Sequence, residues 1–157
     1  MSDTYRIAQT CELLMRNKMV GKMRIVVYGN GIVPTRAHPT DAGLDLYTPI
    51  DVCLPAHEEI IVDTLVAMEI PDGYVGLITS KSGLMAKGIT SRGTIDSQFR
   101  GHVRAVLFNH SDTDYQFHRG DKVTQMVLLP IITPELEVVT ELSQTERGEG
   151  SFGSTGK

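Results

Sequence analysis

Short runs of β-branched and apolar residues, each ended by a glycine, proline or asparagine, follow one another from residue 22 onward. The turn signals come about every 8–12 residues, a spacing typical of antiparallel sandwiches and barrels. The predicted strands are 24–28, 59–63, 66–70, 74–79, 103–108, 122–129 and 136–140. No long helical pattern alternates with these runs, so a doubly wound nucleotide-binding fold is not expected. The pattern therefore predicts an all-β domain, a sandwich or barrel, over residues 22–146.

The first 21 residues have a different pattern. Ile7, Cys11 and Leu14 are spaced four and three apart, as on one face of a short helix. Polar residues 2–4 offer helix caps, and Gly21 ends the segment. We predict an N-terminal extension over 1–21 with a short helix. The extension could be a packed helix, a partner-binding arm or a loose tail.

The composition is that of an ordinary globular chain. Hydrophobic residues make up 41% and charged residues 22%, and 157 residues are enough for one domain with a real core. The net charge of -4 argues against a general nucleic-acid binder, which would present a basic face. It leaves room for a small anionic substrate held by a few placed cations.

The sequence predicts no disulfide, no zinc site, no signal peptide and no membrane-spanning segment. Cys11 and Cys53 form no CxxC pair, which favours reduced thiols in a reducing compartment. The histidines lack the spacing of a zinc site. Residues 1–20 are too polar for a signal peptide, and Pro130 interrupts the longest apolar run, 126–132. We therefore predict no membrane association and a cytoplasmic location.

One candidate for chemistry is the stretch 93–101, in which two glycines bracket one carboxylate, one aromatic ring and one arginine. The glycines permit tight turns, so the stretch predicts a hairpin with Asp96 near its tip. A carboxylate held there could be a general base, a hydrogen-bond acceptor or a metal ligand. From these residues alone, a turn residue that caps its own backbone is the favoured interpretation.

A second candidate is the glycine-rich tail, 147–157. Exposed backbone N–H groups in such a segment can wrap an anion, and Arg147 can grip a phosphate with two hydrogen bonds. Phe152 has no packing partner nearby in sequence, and a base to stack on would give its ring a role. The alternative is a flexible terminus, which the glycine and serine content alone favours.

Taken together, five stretches resemble, in order, the five motifs of the trimeric deoxyuridine triphosphate nucleotidohydrolases, or dUTPases. They are 39–46, 80–84, 93–101, 120–126 and 147–156. Each motif alone is weak, but five in order are a strong signal. The resemblance, which covers the chain from about residue 24 to its end, implies a homotrimer of β jelly-roll subunits. It also implies that dUTP is hydrolysed to dUMP and pyrophosphate, with Mg²⁺ held by the triphosphate, in active sites that each draw on all three chains.

The resemblance implies roles for the hairpin residues. Asp96 would accept a proton from the water that attacks the α-phosphorus, and would hydrogen-bond the 3′-hydroxyl of the sugar. Phe99 would pack under the sugar and leave no room for a 2′-hydroxyl. Thr94 and Ile95 would present backbone groups to the uracil edge. Arg104, on the following strand, lies where the family places a phosphate-directed cation.

The other motifs would supply the phosphate site. Ser82 and the backbone N–H of Gly83 would hold the phosphates, and Gln125 would support the phosphate and water network. Asp45 would touch the Mg²⁺ shell through water. In the tail, Arg147 would reach the γ-phosphate. Phe152 would stack on uracil, within an arm whose remaining substrate contacts would come from Gly153, Ser154 and Thr155.

Five residues depart from the family's pattern; Gln98 and Ser151 are minor departures, and the other three bear on contacts with the substrate. Lys81 stands where the second motif has arginine, and keeps the charge without the two-pronged geometry. Phe99 replaces a tyrosine, so the ring survives without its hydroxyl. Thr90 replaces an asparagine six residues before Asp96, which puts a contact with the base in question.

The sequence leaves two alternatives to dUTP hydrolysis to consider. The related dCTP deaminases place a catalytic glutamate on the strand after the hairpin, where this chain has Val106, so deamination is not expected. A nucleotide-gated regulatory protein could use the same fold, with residues 1–20 and the connection 110–118 as surfaces for a partner.

Overall fold

The computed structural model describes residues 21–150, so the predicted N-terminal helix and the tail residues Phe152, Gly153, Ser154 and Thr155 lie outside the described residues. The described part contains ten strands and one short helix. They are β1 Ile25–Val27, β2 Gly43–Tyr47, β3 Val52–Leu54, β4 Glu59–Asp63, β5 Val66–Met68, β6 Tyr74–Thr79, α1 Ser82–Met85, β7 Ile89–Ile95, β8 Arg104–Asn109, β9 Tyr115–Phe117 and β10 Lys122–Pro130. No helix in this part is long and apolar enough to cross a membrane.

Six strands form the main sheet, in the order β2-β10-β6-β7-β8-β4, and β1-β5 and β3-β9 form two smaller ones. Every strand pair is antiparallel. The predicted all-β class, with a jelly-roll-like arrangement of antiparallel strands, is therefore confirmed.

The strand predictions succeeded where apolar runs are cleanly bounded by turns. The predicted strands 59–63 and 74–79 coincide with β4 and β6. The predicted strand 136–140 is wrong: it pairs with no strand of the described chain, and the side chains of Leu136 and Val138 are 94% and 98% exposed. An apolar run of this kind needs a partner strand, and the described residues do not supply one.

The inner side of the main sheet packs into two apolar clusters that also anchor the candidate site. Val103, fully buried in the first cluster, fixes the base of the loop that carries Asp96. Leu84, the one buried residue of α1, inserts into the second cluster and thereby fixes the turn that follows Lys81.

The outer side of the main sheet carries exposed apolar residues. One row of directly opposed residues crosses all six strands on this side: Asp45, Gln125, Thr79, Arg92, Val106 and Ile61. Beside this row, the side chains of Leu77 and Leu129 are 38% and 41% exposed, and Ile61 is 63% exposed. These exposed apolar residues lie among polar ones, on a side of the sheet that another chain could cover.

Candidate active site

The loop between β7 and β8 presents a carboxylate beside an aromatic ring. A turn in which the Phe99 N–H donates to the Asp96 carbonyl, at 3.1 Å, brings the two residues together. Arg100 donates to the carbonyls of Ser97 and Phe99, at 2.6 and 2.9 Å, and holds the loop closed. Asp96 and Phe99 are both exposed. The predicted hairpin with Asp96 near its tip is therefore present.

Gly101 is required by the position of the Phe99 ring. A Cβ atom at residue 101 would lie 2.6 Å from Cζ of that ring, far inside contact distance. The end of the ring therefore lies close to the Gly101 backbone, while 43% of the residue stays exposed to solvent.

The base of the loop is tied to the turn between β4 and β5. The Thr64 N–H and hydroxyl both donate to the Val103 carbonyl, at 3.2 and 2.6 Å. The Val103 N–H donates to the Val66 carbonyl at 2.7 Å. These buried hydrogen bonds hold the base of the β7-β8 loop at Val103, and the tip of the loop extends beyond this base.

Arg104 lies just beyond this base and faces Asp63. Its Nε is 3.8 Å from the carboxylate, and its side chain is 67% exposed. His102 Nδ1 is nearer, at 3.1 Å from the same oxygen. Burial raises the pKa of Asp63, but the hydrogen bonds from the Leu65 N–H and from His102, together with the charges of His102 and Arg104, outweigh it and the pKa falls below its ordinary value. Arg104 is thus loosely held and free to take an anionic partner.

A second group of polar residues lies around Asp45 on β2. Asp45 is 4% exposed, so its side chain does not face solvent. Lys81 Nζ contacts Oδ1, and Lys122 Nζ lies 2.7 Å from Oδ2. Burial raises the pKa of Asp45, but the hydrogen bonds and charges of the two lysines outweigh it, and the pKa is lowered. The hydrogen bond to Asp45 in turn raises the pKa of Lys122.

Gln125 lies directly across from Asp45 in the pairing of β10 with β2. Its amide donates to the Ser80 carbonyl at 3.0 Å. Gly43 makes room for it, because a Cβ there would lie 2.1 Å from Gln125 Oε1. Ser80 is fixed by two bonds with the Ser91 backbone, at 3.1 and 2.7 Å. The amide is therefore placed by packing and hydrogen bonding together.

The helix α1 begins at Ser82, directly after Lys81. Its Ser82 and Gly83 N–H groups precede the first intrahelical donor, so they are not used by the helix itself. Open space surrounds Gly83. Lys81, Ser82, Gly83 and Gln125 thus come together around Asp45, as one group of cationic and neutral hydrogen-bond donors.

The two groups lie far apart in one chain. Ile95 pairs with Gly76 and Arg92 pairs with Thr79, so Asp96 lies beyond one end of the β6-β7 pair and Lys81 beyond the other. At about 3.3 Å per residue, six residues of extended chain separate them by roughly 20 Å. A single chain therefore does not bring the Asp96 carboxylate to the lysine group.

Thr90 and Arg147 join neither group. Thr90 Oγ1 is 2.8 Å from His110 Nε2, in a shallow cavity of about 220 Å³ on the outer side of the sheet. Arg147 is exposed, and its Nε donates to the Gly150 carbonyl at 2.9 Å. The roles predicted for these two residues stay predictions.

The described residues build no metal site of their own. No group of three or more His, Cys, Asp or Glu side chains within 21–150 could hold a metal ion. Asp45 has a lysine ammonium on each carboxylate oxygen. Direct coordination of Mg²⁺ by Asp45 therefore does not fit this arrangement.

The chain is thus an antiparallel all-β protein with a carboxylate-and-ring loop and a separate group of cationic and neutral hydrogen-bond donors. A family model described as dUTPase matches residues 29–156. The deoxyuridine 5′-triphosphate nucleotidohydrolase of Candida albicans is 40% identical over 151 residues, covering 92% of this chain and 95% of that protein. This chain belongs to the dUTPase family.

Solved structures agree. The dUTPase of Staphylococcus bacteriophage 80alpha, with dUPNHPP, superposes with a TM-score of 0.81 at 32% identity, over 87% of this chain and 99% of that one. A mutant dUTPase from phage phi11 of S. aureus, described as revealing the coordination of a structural Mg(II) ion, superposes with a TM-score of 0.71 at 33% identity, over 77% and 98%.

The lowered pKa of Asp45 gives a prediction about stability and pH. A carboxyl group with a lower pKa in the folded state contributes stability above its unfolded pKa of about 3.9, and loses it as the pH falls through the folded value. Asp45→Asn should cost about 2 kcal/mol at pH 7, because it leaves two lysines without their anion. The difference from wild type should shrink below about pH 4. Urea unfolding at several pH values measures this, with the exposed Asp112→Asn as control; an equal cost at all pH values would contradict it.

Proposed function

We propose that this chain hydrolyses dUTP to dUMP and pyrophosphate, in a homotrimer whose neighbouring chains complete each active site. The reaction lowers dUTP and supplies the precursor of thymidylate. The observation that supports it most directly is the loop in which the exposed Asp96 carboxylate stands beside the Phe99 ring on Gly101, in a chain of the dUTPase family.

Asp96 is the general base of the proposed reaction. It takes a proton from water as the water oxygen bonds to the α-phosphorus and the bond from that phosphorus to the bridging oxygen breaks, releasing pyrophosphate. The described residues offer no cation to the Asp96 carboxylate within 4 Å. A carboxylate without such a partner keeps its lone pairs for water and for the 3′-hydroxyl.

Base selection rests on an unpaired strand edge. β7 pairs with β8 only from Ile89 to Arg92, whereas its residues 93–95 pair with β6 alone. The backbone groups of Thr94 and Ile95 that point away from β6 are therefore left for a ligand. A fixed row of backbone donors and acceptors can match uracil and reject cytosine, because a mismatched edge leaves polar groups unpaired.

The phosphates belong to the second group. Lys81 supplies charge, and Ser82, Gly83 and Gln125 supply neutral donors. We propose that Mg²⁺ is held by the triphosphate itself, since the described protein residues give it no ligand set. Arg104, and the arm with Arg147, Phe152, Gly153, Ser154 and Thr155, complete the proposed substrate contacts.

Three features support the trimer. The Asp96 loop and the lysine group lie at opposite ends of β6 and β7, so a neighbouring chain has to bring its lysine group to this loop. The outer side of the main sheet exposes a patch around Ile61, Leu77 and Leu129 that another copy could cover. The apolar residues of segment 136–142 are exposed, and within 21–150 the segment has no partner strand. In a homo-oligomer with closed symmetry, neighbouring copies could complete the divided site and cover both sets of exposed apolar residues.

The alternative functions are not favoured. Val106, at the position of the deaminase glutamate, lies on the outer side of the sheet opposite Arg92 and Ile61, and has no group that transfers a proton. Nothing in the described residues supports a purely regulatory protein. A cytoplasmic location stays a prediction.

The general-base role predicts that Asp96→Asn loses at least about 1,000-fold in the rate of pyrophosphate release from dUTP, while dUMP binding is retained. The loss follows because asparagine accepts no proton from water. Asp72→Asn, which removes an exposed carboxylate from a neighbouring loop, is the matched control and should stay active. Full activity of Asp96→Asn would refute the assignment.

The packing of Phe99 on Gly101 predicts that Gly101→Ala relaxes sugar selection. The added methyl displaces the ring, which is free to move because it is exposed, so the melting temperature should change little. The ratio of kcat/KM for dUTP over UTP should fall about tenfold or more. Gly21→Ala, which adds a methyl in open space, is the control. An unchanged ratio would mean that the ring does not exclude the 2′-hydroxyl.

A further inference from the structure

We propose that Lys122 is a second phosphate-directed cation, held beside Lys81 by the two oxygens of Asp45, and that the pair binds the terminal phosphates of the triphosphate. The inference rests on the proposed function and deepens it. None of the roles implied by the five motifs includes Lys122.

The geometry places the two ammonium groups side by side. Lys81 contacts Oδ1 and Lys122 contacts Oδ2 of the same carboxylate. Since the two oxygens of a carboxylate are bonded to one carbon, the ammonium groups lie within a few ångströms of each other. The lysine side chains are 23% and 40% exposed, whereas that of Asp45 is 6% exposed. The carboxylate thus lies underneath, and the ammonium groups form the accessible surface.

Hydrogen-bond capacity is left over. An ammonium group has three donors, and each lysine makes one bond, to Asp45, among the described residues. The remaining donors of both groups have no acceptor within 21–150. The charged oxygens of a polyphosphate chain can accept hydrogen bonds from these remaining N–H donors.

The charges do not cancel. Two ammonium groups and the Asp45 carboxylate by themselves leave a charge of +1, part of which the nearby Asp41 carboxylate offsets, and the raised pKa of Lys122 keeps it protonated at neutral pH. Asp41 and Tyr47 lie near Lys122 and also favour its charged form. An incoming anion relieves the repulsion between the two lysines, whereas a free divalent cation would increase it. The arrangement therefore favours an anion as its ligand.

A β-bulge gives Lys122 this position. In a regular strand, residues three apart point to opposite sides of the sheet. The register of β10 against β2 shifts between Lys122 and Thr124, and both Val123 and Thr124 are buried. Lys122, across from Tyr47, and Gln125, across from Asp45, therefore face the same side of the sheet.

The test is Lys122→Met, which keeps the apolar stem, with Lys122→Arg as the conservative variant and Lys22→Met as a control that removes an exposed ammonium elsewhere. Calorimetry at fixed ionic strength measures binding of dUMP, of a non-hydrolysable dUTP analogue with Mg²⁺, and of inorganic tripolyphosphate. Lys122→Met should weaken binding of the analogue and of tripolyphosphate about tenfold to a hundredfold. Its affinity for dUMP should stay within about twofold, and Lys122→Arg should recover most of the loss.

Two results would overturn the proposal. Unchanged affinity for both the analogue and tripolyphosphate would show that Lys122 meets no phosphate. An equal loss for dUMP and the analogue, with a lowered melting temperature, would show that Lys122 only holds Asp45 in place. If the wild-type chain fails to bind or hydrolyse dUTP, the proposed function fails by itself, and the tripolyphosphate measurement still decides whether the lysine pair is an anion site.

Discussion

The pairing of β6 with β7 is the constraint on which the rest of the molecule depends. Its register, with Gly76 opposite Ile95 and Thr79 opposite Arg92, sends Asp96 off one end and Lys81 off the other. Both ends are made rigid by buried contacts, Val103 on one side and Leu84 on the other. A single chain therefore does not bring the two groups to one substrate, and the proposed reaction depends on assembly.

The second constraint is the charge buried at Asp45. A carboxylate at 4% exposure is costly unless it is paired, and the fold pairs it twice. The two ion pairs offset the cost of burying the Asp45 carboxylate, and they hold Lys81 and Lys122 side by side at the surface of the sheet. The same feature explains why Asp45 does not fit as a direct metal ligand and why an anion suits this place. Gln125, placed by the absence of a side chain at Gly43, adds a neutral donor at the edge of the same group.

Much of this could be predicted from the sequence, and the failures have physical reasons. β4 and β6 follow from alternation between clear turn signals. β2 was not predicted because three successive buried residues, Leu44 to Leu46, break that alternation, the middle one being a charged residue satisfied by tertiary contacts.

Other features depend on contacts that a sequence pattern does not contain. The strand predicted at 136–140 has the residues of a strand, but its partner is not in the described chain. The side of the sheet that Lys122 faces depends on a β-bulge, which a period-two pattern does not reveal. The hairpin with Asp96 and Phe99 was located correctly, but its distance from Lys81 follows only from the strand register.

The division of the active site between chains is tested most directly by mixing two defective subunits. One carries Asp96→Asn, and the other carries Lys81→Met with Ser82→Ala; each alone should be inactive on dUTP. Unfolded together and refolded in equal amounts, they should recover about one quarter of the wild-type rate, since a working site needs an intact loop from one chain and an intact lysine group from its neighbour. A mixture that stays inactive, although both variants fold and assemble, would place both halves in the same chain and contradict the account.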